Sequence, residues 1–285
     1  MSRLYAASSF GFEISWFIKA IDLVDKNKFL FTKKLKEETQ YILGIGSEKV
    51  RALEMWLLSA ELTVKCKEDK QFVTYLSPLG EIIKKYDPNF YDYNTLAIIL
   101  CHLSKGPKKQ GTEIVYWYMN KFNHREFIRD DLKQALKSDY SHFKDASIEN
   151  GLQALLQVFR LTPLGNDFRL LIEEKKGYFR KEEPPERYIH PLIFAYAIID
   201  WAKEHNEWVL PIEYIKKGEC LPGKSFNFSG KQVDKYLNTI HENYPQIINI
   251  SRDAGLNKVI IQAKEPSEIL KNIINKHDEF FRIYP

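Results

Sequence analysis

The sequence predicts a mainly α-helical protein with small β-hairpins, an α+β fold, on three observations. Apolar residues recur at helical spacing through most of the 285 residues. A helix pattern followed by two short β-type runs stands near the N-terminus, and a similar one stands near the C-terminus. Between them, beyond Gly165 and around Pro185, the charge-dense run EEKKGYFRKEEPPER reads as an exposed connection and a domain boundary. Three regions follow: an N-terminal winged helix-turn-helix over 1–86, a helical domain over 87–182, and a C-terminal winged-helix-like α+β module over 183–285.

From Phe12 onward, Phe12, Trp16, Ile18 and Ile21 are spaced for a short amphipathic helix that leaves Lys19 and Asp22 outside. Thr32 precedes residues 33–38, and Leu35, Thr39 and Ile42 suit the first helix of a helix-turn-helix, with Lys33, Lys34 and Lys36 on its exposed face. Gly44 and Gly46 then punctuate the chain. Ser47 is a good N-cap, and Val50, Leu53, Leu57 and Ala60 recur as one apolar helix face requires, so the second helix is expected to start there. Burying that face leaves Lys49, Arg51, Glu54 and Met55 pointing outward. Residues 62–66 and 72–76 are β-type runs separated by Lys67-Glu68-Asp69-Lys70, a hairpin signal. That hairpin is the expected wing, lined by Lys65, Lys67 and Lys70. Ser77-Pro78 stops its second strand and opens a helix, because proline is tolerated at a first helical position but not inside a sheet.

A helix N-terminus with free backbone N–H groups, the Ser47 hydroxyl and the cations Lys49 and Arg51 suits the major groove. Lys33, Lys34 and Lys36 would hold the phosphate backbone beside it, each contact adding salt-dependent affinity. Double-stranded DNA is therefore the expected partner. A protein-binding winged helix with a solvated charged face has the same pattern, and Glu48 and Glu54 fit that alternative.

Past a helix over 79–86, Asp87-Pro88 opens a turn and Asp92 follows it. Asp87 reads first as a turn residue, and Asp92 as a cap of the next helix, TLAIILCHL, which is apolar nearly all round and carries His102. As a site, the two carboxylates are candidate ligands for Mg2+ or Mn2+, since hard cations take carboxylate oxygens. Phosphodiester hydrolysis needs charge neutralisation and an oriented water, so Asp87, Asp92, His102 and Lys19 are the candidate catalytic residues. A histidine on an apolar helix is more often a hydrogen-bonded core residue than a catalyst.

The segment SKGPKKQG over 104–111 is a basic loop, followed by an aromatic helix with Val115, Tyr118 and Phe122 on one face and Asn120 near its end. Residues 124–160 read as two or three helices broken near Ser141 and Gly151, with Leu152, Leu155, Leu156, Val158 and Phe159 as core. Beyond the boundary come a buried helix over 190–205, an extended piece over 208–211 and a short strand over 223–228. Ser229 caps a helix over 230–242, strands follow at 247–250 and 258–262 around Asp253-Ala254-Gly255, and a helix over 267–280 ends the pattern.

Composition narrows the classes. A hydrophobic share of 44% with 28% charged residues belongs to a folded chain rather than a disordered one. Five Trp, 16 Tyr and 18 Phe point to aromatic cores before base stacking. A formal charge of +4 and a pI near 8.7 permit a nucleic-acid partner without requiring one. Cys66, Cys101 and Cys220 are odd in number and far apart, which leaves no disulfide framework or paired-cysteine zinc site and fits a reducing cytoplasm. Charged residues interrupt the N-terminal apolar residues, and no apolar run reaches the roughly 18 residues of a membrane span. Neither secretion nor membrane insertion is expected.

One further pattern is the order and spacing of Phe10, Trp16 and Lys19; Leu43-Gly44-Ile45-Gly46 with Trp56; Leu79-Gly80; Asp87-Pro88 with Asp92; Thr95-Leu96 and His102; Trp117 and Asn120; and Pro222-Gly223 with Phe226. Together, over roughly residues 7 to 262, they resemble a bacterial uncharacterised-domain family of DNA phosphorothioation and antiphage gene clusters, the SspB-like family associated with DNA nicking. The chain departs from the family at Ala7, Glu13 and Ser47-Glu48, where members often carry histidine, arginine and Lys-Asn. The resemblance implies a cytoplasmic partner of a cysteine desulfurase, an ATPase and an ATP-pyrophosphatase-like sulfur-inserting enzyme. Three functions fit: a DNA-binding component of phosphorothioate modification, acting as a metal-dependent nicking endonuclease; a non-enzymatic winged-helix adaptor or regulator; and a structural subunit without DNA contact.

Overall fold

The chain divides into two units, 1–183 and 184–285. The computed structural model of the protein describes residue 4 and residues 9–106, 113–252 and 257–275. The basic loop beyond Gly106, the turn at 253–255, Ala7 and the end of the last helix lie outside the described residues. Among the described residues the chain is mainly helical with small antiparallel sheets, and no helix is long and apolar enough to cross a membrane.

The first unit opens with α1 (Ile14–Lys26), which buries Trp16, Phe17, Ala20, Ile21 and Val24 at helical spacing. Phe12 stacks on Phe17 with ring centroids 4.4 Å apart and leans on Trp56, whose indole N–H donates to the Phe10 carbonyl at 3.0 Å. A 3-10 turn at Lys33–Leu35 leads into α2 (Lys36–Leu43), which buries Thr39 and Leu43. The expected apolar set was different: Ile42 is exposed, and Leu43, four residues after Thr39 on the same helix face, is buried in its place. Gly44, at φ 68°, closes α2 in the left-handed conformation that glycine adopts most easily.

Helix α3 (Ser47–Ser59) has Gly46 at its N-cap, so Ser47 is the first helical residue and makes no capping bond. Glu54 and Met55 were expected outside but are buried, because α3 is covered on more than one side. Strands β1 (Thr63–Glu68) and β2 (Gln71–Leu76) form the hairpin, paired from Thr63 with Leu76 to Glu68 with Gln71. Lys67 and Glu68, read as turn residues, belong to β1; the turn is Asp69-Lys70, both at positive φ. Ser77 caps α4 (Pro78–Tyr86) by accepting from the Gly80 N–H at 2.9 Å. A Cβ at Gly80 would stand 2.1 Å from the Leu62 carbonyl oxygen, so only glycine lets α4 meet the start of the hairpin.

Helix α5 (Tyr93–Leu103) buries every residue from Thr95 to Leu103. Next come α6 (Ile114–Asn120), β3 (Glu126–Ile128), α7 (Arg129–Asp139), α8 (Asp145–Arg160), α9 (Pro163–Asn166), β4 (Ile172–Lys175) and β5 (Tyr178–Arg180). The break expected at Gly151 does not occur. Helix α8 runs through it, and the missing side chain admits Leu4 instead. The charge-dense run expected as a bare connection makes β4 and β5 around Gly177, in a sheet ordered β3-β5-β4. Lys181 from that run is 4% exposed, donating to the carbonyls of Tyr118 at 2.7 Å and Phe122 at 3.3 Å near the end of α6. Its charge thereby meets the negative end of the helix.

The second unit is built on α10 (Pro191–His205), apolar nearly all round and capped by His190. Then follow β6 (Val209–Pro211), α11 (Ile212–Lys217), α12 (Pro222–Ser225), α13 (Gly230–Asn243), β7 (Ile248–Ser251), β8 (Lys258–Ile261) and α14 (Pro266–Asn275). The antiparallel sheet is ordered β6-β8-β7. The strand expected over 223–228 is corrected to α12 and a turn, since Pro222 starts a helical turn and Asn227 takes positive φ. Ser229 does cap α13, accepting from the Gln232 N–H at 3.2 Å.

Candidate nucleic-acid interface

The hairpin β1–β2 is fastened at one face. Side chains alternate along a strand, so Glu68 and Tyr75 share a face while Lys65, Lys67 and Phe72 share the other. On the first, Lys28 donates to Glu68 at 2.6 Å and to the Tyr75 hydroxyl at 2.9 Å, and Tyr75 donates to Glu68 at 2.5 Å. The Lys28 and Tyr75 hydrogen bonds hold the Glu68 carboxyl below its ordinary pKa, and the Glu68 and Tyr75 bonds raise that of Lys28. The backbone joins in, as the Thr74 N–H donates to the Lys28 carbonyl at 2.9 Å and so closes the free edge of β2. Nothing local signals this brace, because its members lie 40 and 47 positions apart.

The nine residues expected to touch DNA separate by what they already hold. Lys33, Lys34, Lys36, Lys67 and Lys70 are exposed, and among the described residues none has an ion-pair partner. Arg51 is exposed with only a loose 3.8 Å approach to Glu48 on its own helix. Lys49 does not point freely outward: its ammonium lies 5.7 Å from the Phe10 ring and 5.2 Å from the Trp16 ring. Lys65 is committed to Glu54 at 2.6 Å, and Ser47 sits in the first turn of α3. Some other lysines of this unit are paired, as Lys26 is with Asp22 and Lys84 with Asp25, while Lys19, Lys85, Lys144, Lys175 and Lys176 are exposed elsewhere on it. Five of the nine expected residues thus keep free side chains among the described residues, three on the 3-10 turn and α2 and two at the hairpin tip. Tyr41, 90% exposed on α2, was not picked out by periodicity.

The expected catalytic residues stand differently. Asp87 ends α4, and its two carboxylate oxygens accept from the N–H groups of Tyr91 at 2.9 Å and Asp92 at 3.1 Å. Those bonds close a turn that holds Phe90 at φ 54° and buries it 6.1 Å from Phe17. Asp92 caps α5, accepting from the Asn94 N–H at 2.8 Å. The two aspartates therefore meet through the backbone. His102 is 4% exposed, with Nδ1 3.2 Å from Glu61 in the turn before β1. Lys19 is exposed on α1. Among the described residues no three His, Cys, Asp or Glu side chains gather as they would around a metal ion.

Comparison with known proteins places this geometry. Residues 7–277 match the family described as Protein of unknown function (DUF4007). Among curated proteins none matches. Among solved structures, an SspB crystal structure superposes with a TM-score of 0.79 at 16% identity, over 100% of this chain and 90% of that one. A magnesium ion-bound SspB crystal structure gives 0.77 at 15% identity, over 100% and 92%. The chain has an SspB-like fold along its whole length.

Proposed function

The chain belongs to the DUF4007 family, and from that premise we propose that it is a DNA-binding component of a bacterial phosphorothioate-modification system directed against phage. The observation that carries the DNA reading is the five exposed lysines that, among the described residues, have no ion-pair partner, on the 3-10 turn, α2 and the hairpin tip. In this reading α2 and α3 are the helix-turn-helix, β1–β2 is the wing, and those lysines displace cations condensed on the duplex phosphates. The SspB-like fold and the spaced residues of the phosphorothioation family support the pathway, with the sulfur-transfer enzymes as partners.

The test is duplex affinity as a function of salt. The full chain is expected to bind a 25-base-pair duplex with an affinity that falls steeply with salt. Replacing Lys33, Lys34 and Lys36 by glutamine removes up to three phosphate contacts and lowers the logarithmic salt slope by roughly 2 to 3. A flat salt dependence in the wild-type protein would remove the reading.

Strand nicking with Mg2+ or Mn2+ is the chemistry to test within it, since one similar structure is a magnesium ion-bound SspB. Asp87 and Asp92 fit that role poorly: Asp87 has both oxygens on backbone N–H groups, and Asp92 caps a helix. No step is assigned through a metal there. These two caps, with the burial of His102, favour a second reading in which the protein presents DNA to a partner enzyme without cutting it.

A further inference from the structure

We propose that Phe72 is an apolar wedge, carried at the tip of the β1–β2 hairpin, that enters the minor groove of duplex DNA between two base steps. The inference rests on the DNA reading above and names a contact that reading does not contain. Phe72 is the second residue of β2 and is 56% exposed. Single exposed apolar residues are common on protein surfaces, and what sets Phe72 apart is the pair of lysines beside it at the hairpin tip.

Its surroundings match one occupant. Lys67 lies directly across the strand pair from Phe72, Lys70 sits in the adjoining turn, and both are exposed without an ion-pair partner among the described residues. An aromatic residue with one exposed lysine opposite it and another in the adjoining turn complements a polyanion whose interior is a stack of flat bases, and an acidic groove with an apolar step is what duplex DNA offers.

Orientation agrees. By strand alternation Phe72 and Lys67 share a face with Lys65, which is bound to Glu54 of α3, so the wedge projects from the α3 side of the hairpin. Only the start of α3 is open, at Glu48 and Arg51, so the hairpin tip is the longer projection on this side, and a Phe flanked by lysines is the kind of wedge that minor-groove binders insert. The opposite face carries the Lys28–Glu68–Tyr75 brace, which holds the hairpin against α1 and its following loop. A wedge that separates bases needs a stiff mount, and the brace supplies it.

Three measurements on the full chain test this with one random-sequence 25-base-pair duplex: affinity by anisotropy, 2-aminopurine fluorescence for unstacking, and end-to-end energy transfer for bending. Wild-type protein is expected to raise 2-aminopurine emission and shorten the end-to-end distance. Phe72→Ala is expected to weaken binding about tenfold and abolish both signals while keeping the salt slope, since phosphate contacts remain. Phe72→Leu, another apolar wedge, restores them. Unchanged affinity and unstacking in Phe72→Ala, or wild-type binding without unstacking, overturns the wedge and leaves the DNA reading standing. Wild-type protein with no salt-dependent affinity overturns both. Circular dichroism of Phe72→Ala, an exposed position, verifies the fold.

Discussion

Asp92 shows how a functional-looking carboxylate can be a folding device. Its Oδ1 accepts the Asn94 N–H at 2.8 Å and so satisfies one donor at the start of a helix that is buried along most of its length. Asp92→Ala is expected to cost about 1 kcal/mol of stability, the usual loss on deleting a cap, measured by urea denaturation. It is expected to leave the affinity for duplex DNA unchanged, and a parallel loss of binding would make the carboxylate functional after all. His102 and Lys181 are similar in kind. Each is a polar group whose burial comes with a named neighbour, Glu61 for the first and two backbone carbonyls for the second.

At the scale of elements, the hairpin is the part whose behaviour the brace and the close packing at its base control. Gly80 fits under the Leu62 carbonyl, so Gly80→Ala must push α4 off the hairpin and is expected to cost about 1 to 3 kcal/mol, read as a lowered thermal midpoint. The Lys28–Glu68–Tyr75 brace has a pH signature. Glu68 is depressed in the folded state, so its contribution is present above the unfolded carboxyl value of about 4.3 and is lost as pH falls through the folded one. Lys28 is raised, so its contribution is present below about 10.4 and is lost as pH rises through its folded value. Lys28→Met is therefore expected to loosen the hairpin more at pH 7 than at pH 2, where protonated Glu68 no longer holds Lys28 as an ion pair and mainly the bond to the Tyr75 hydroxyl is left to lose. Amide exchange of residues 64–75 checks this, and an equal effect at both pH values would mean the brace is not ionic.

For the whole molecule, the two readings diverge on chemistry. Supercoiled plasmid incubated with micromolar protein and Mg2+ or Mn2+ is expected to stay uncut, because the two aspartates serve the backbone and His102 is buried. Open circles that vanish in Asp87→Asn would instead restore the metal-dependent nickase. Open circles that persist in that variant would put the chemistry on residues other than those the sequence nominated.

Some of this was determined by the sequence alone. Helical spacing, Ser77-Pro78 and Ser229 marked α3, α4 and α13 to within a few residues, because caps and periodicity act over one or two turns. The lysines at 33, 34, 36, 67 and 70 were visible as candidates for the same reason: exposure on an amphipathic element follows from the pattern of its neighbours. Only the tertiary structure decided which cations are already spent. Lys65 goes to Glu54 and Lys49 to two aromatic rings, and no local pattern encodes such partners. The same holds for the run after Gly165, where charge suggested a solvated connection. Lys181 lies buried there because its carbonyl partners come from α6 and the residues just after it, some sixty residues earlier, and long-range pairing is set by packing rather than by propensity.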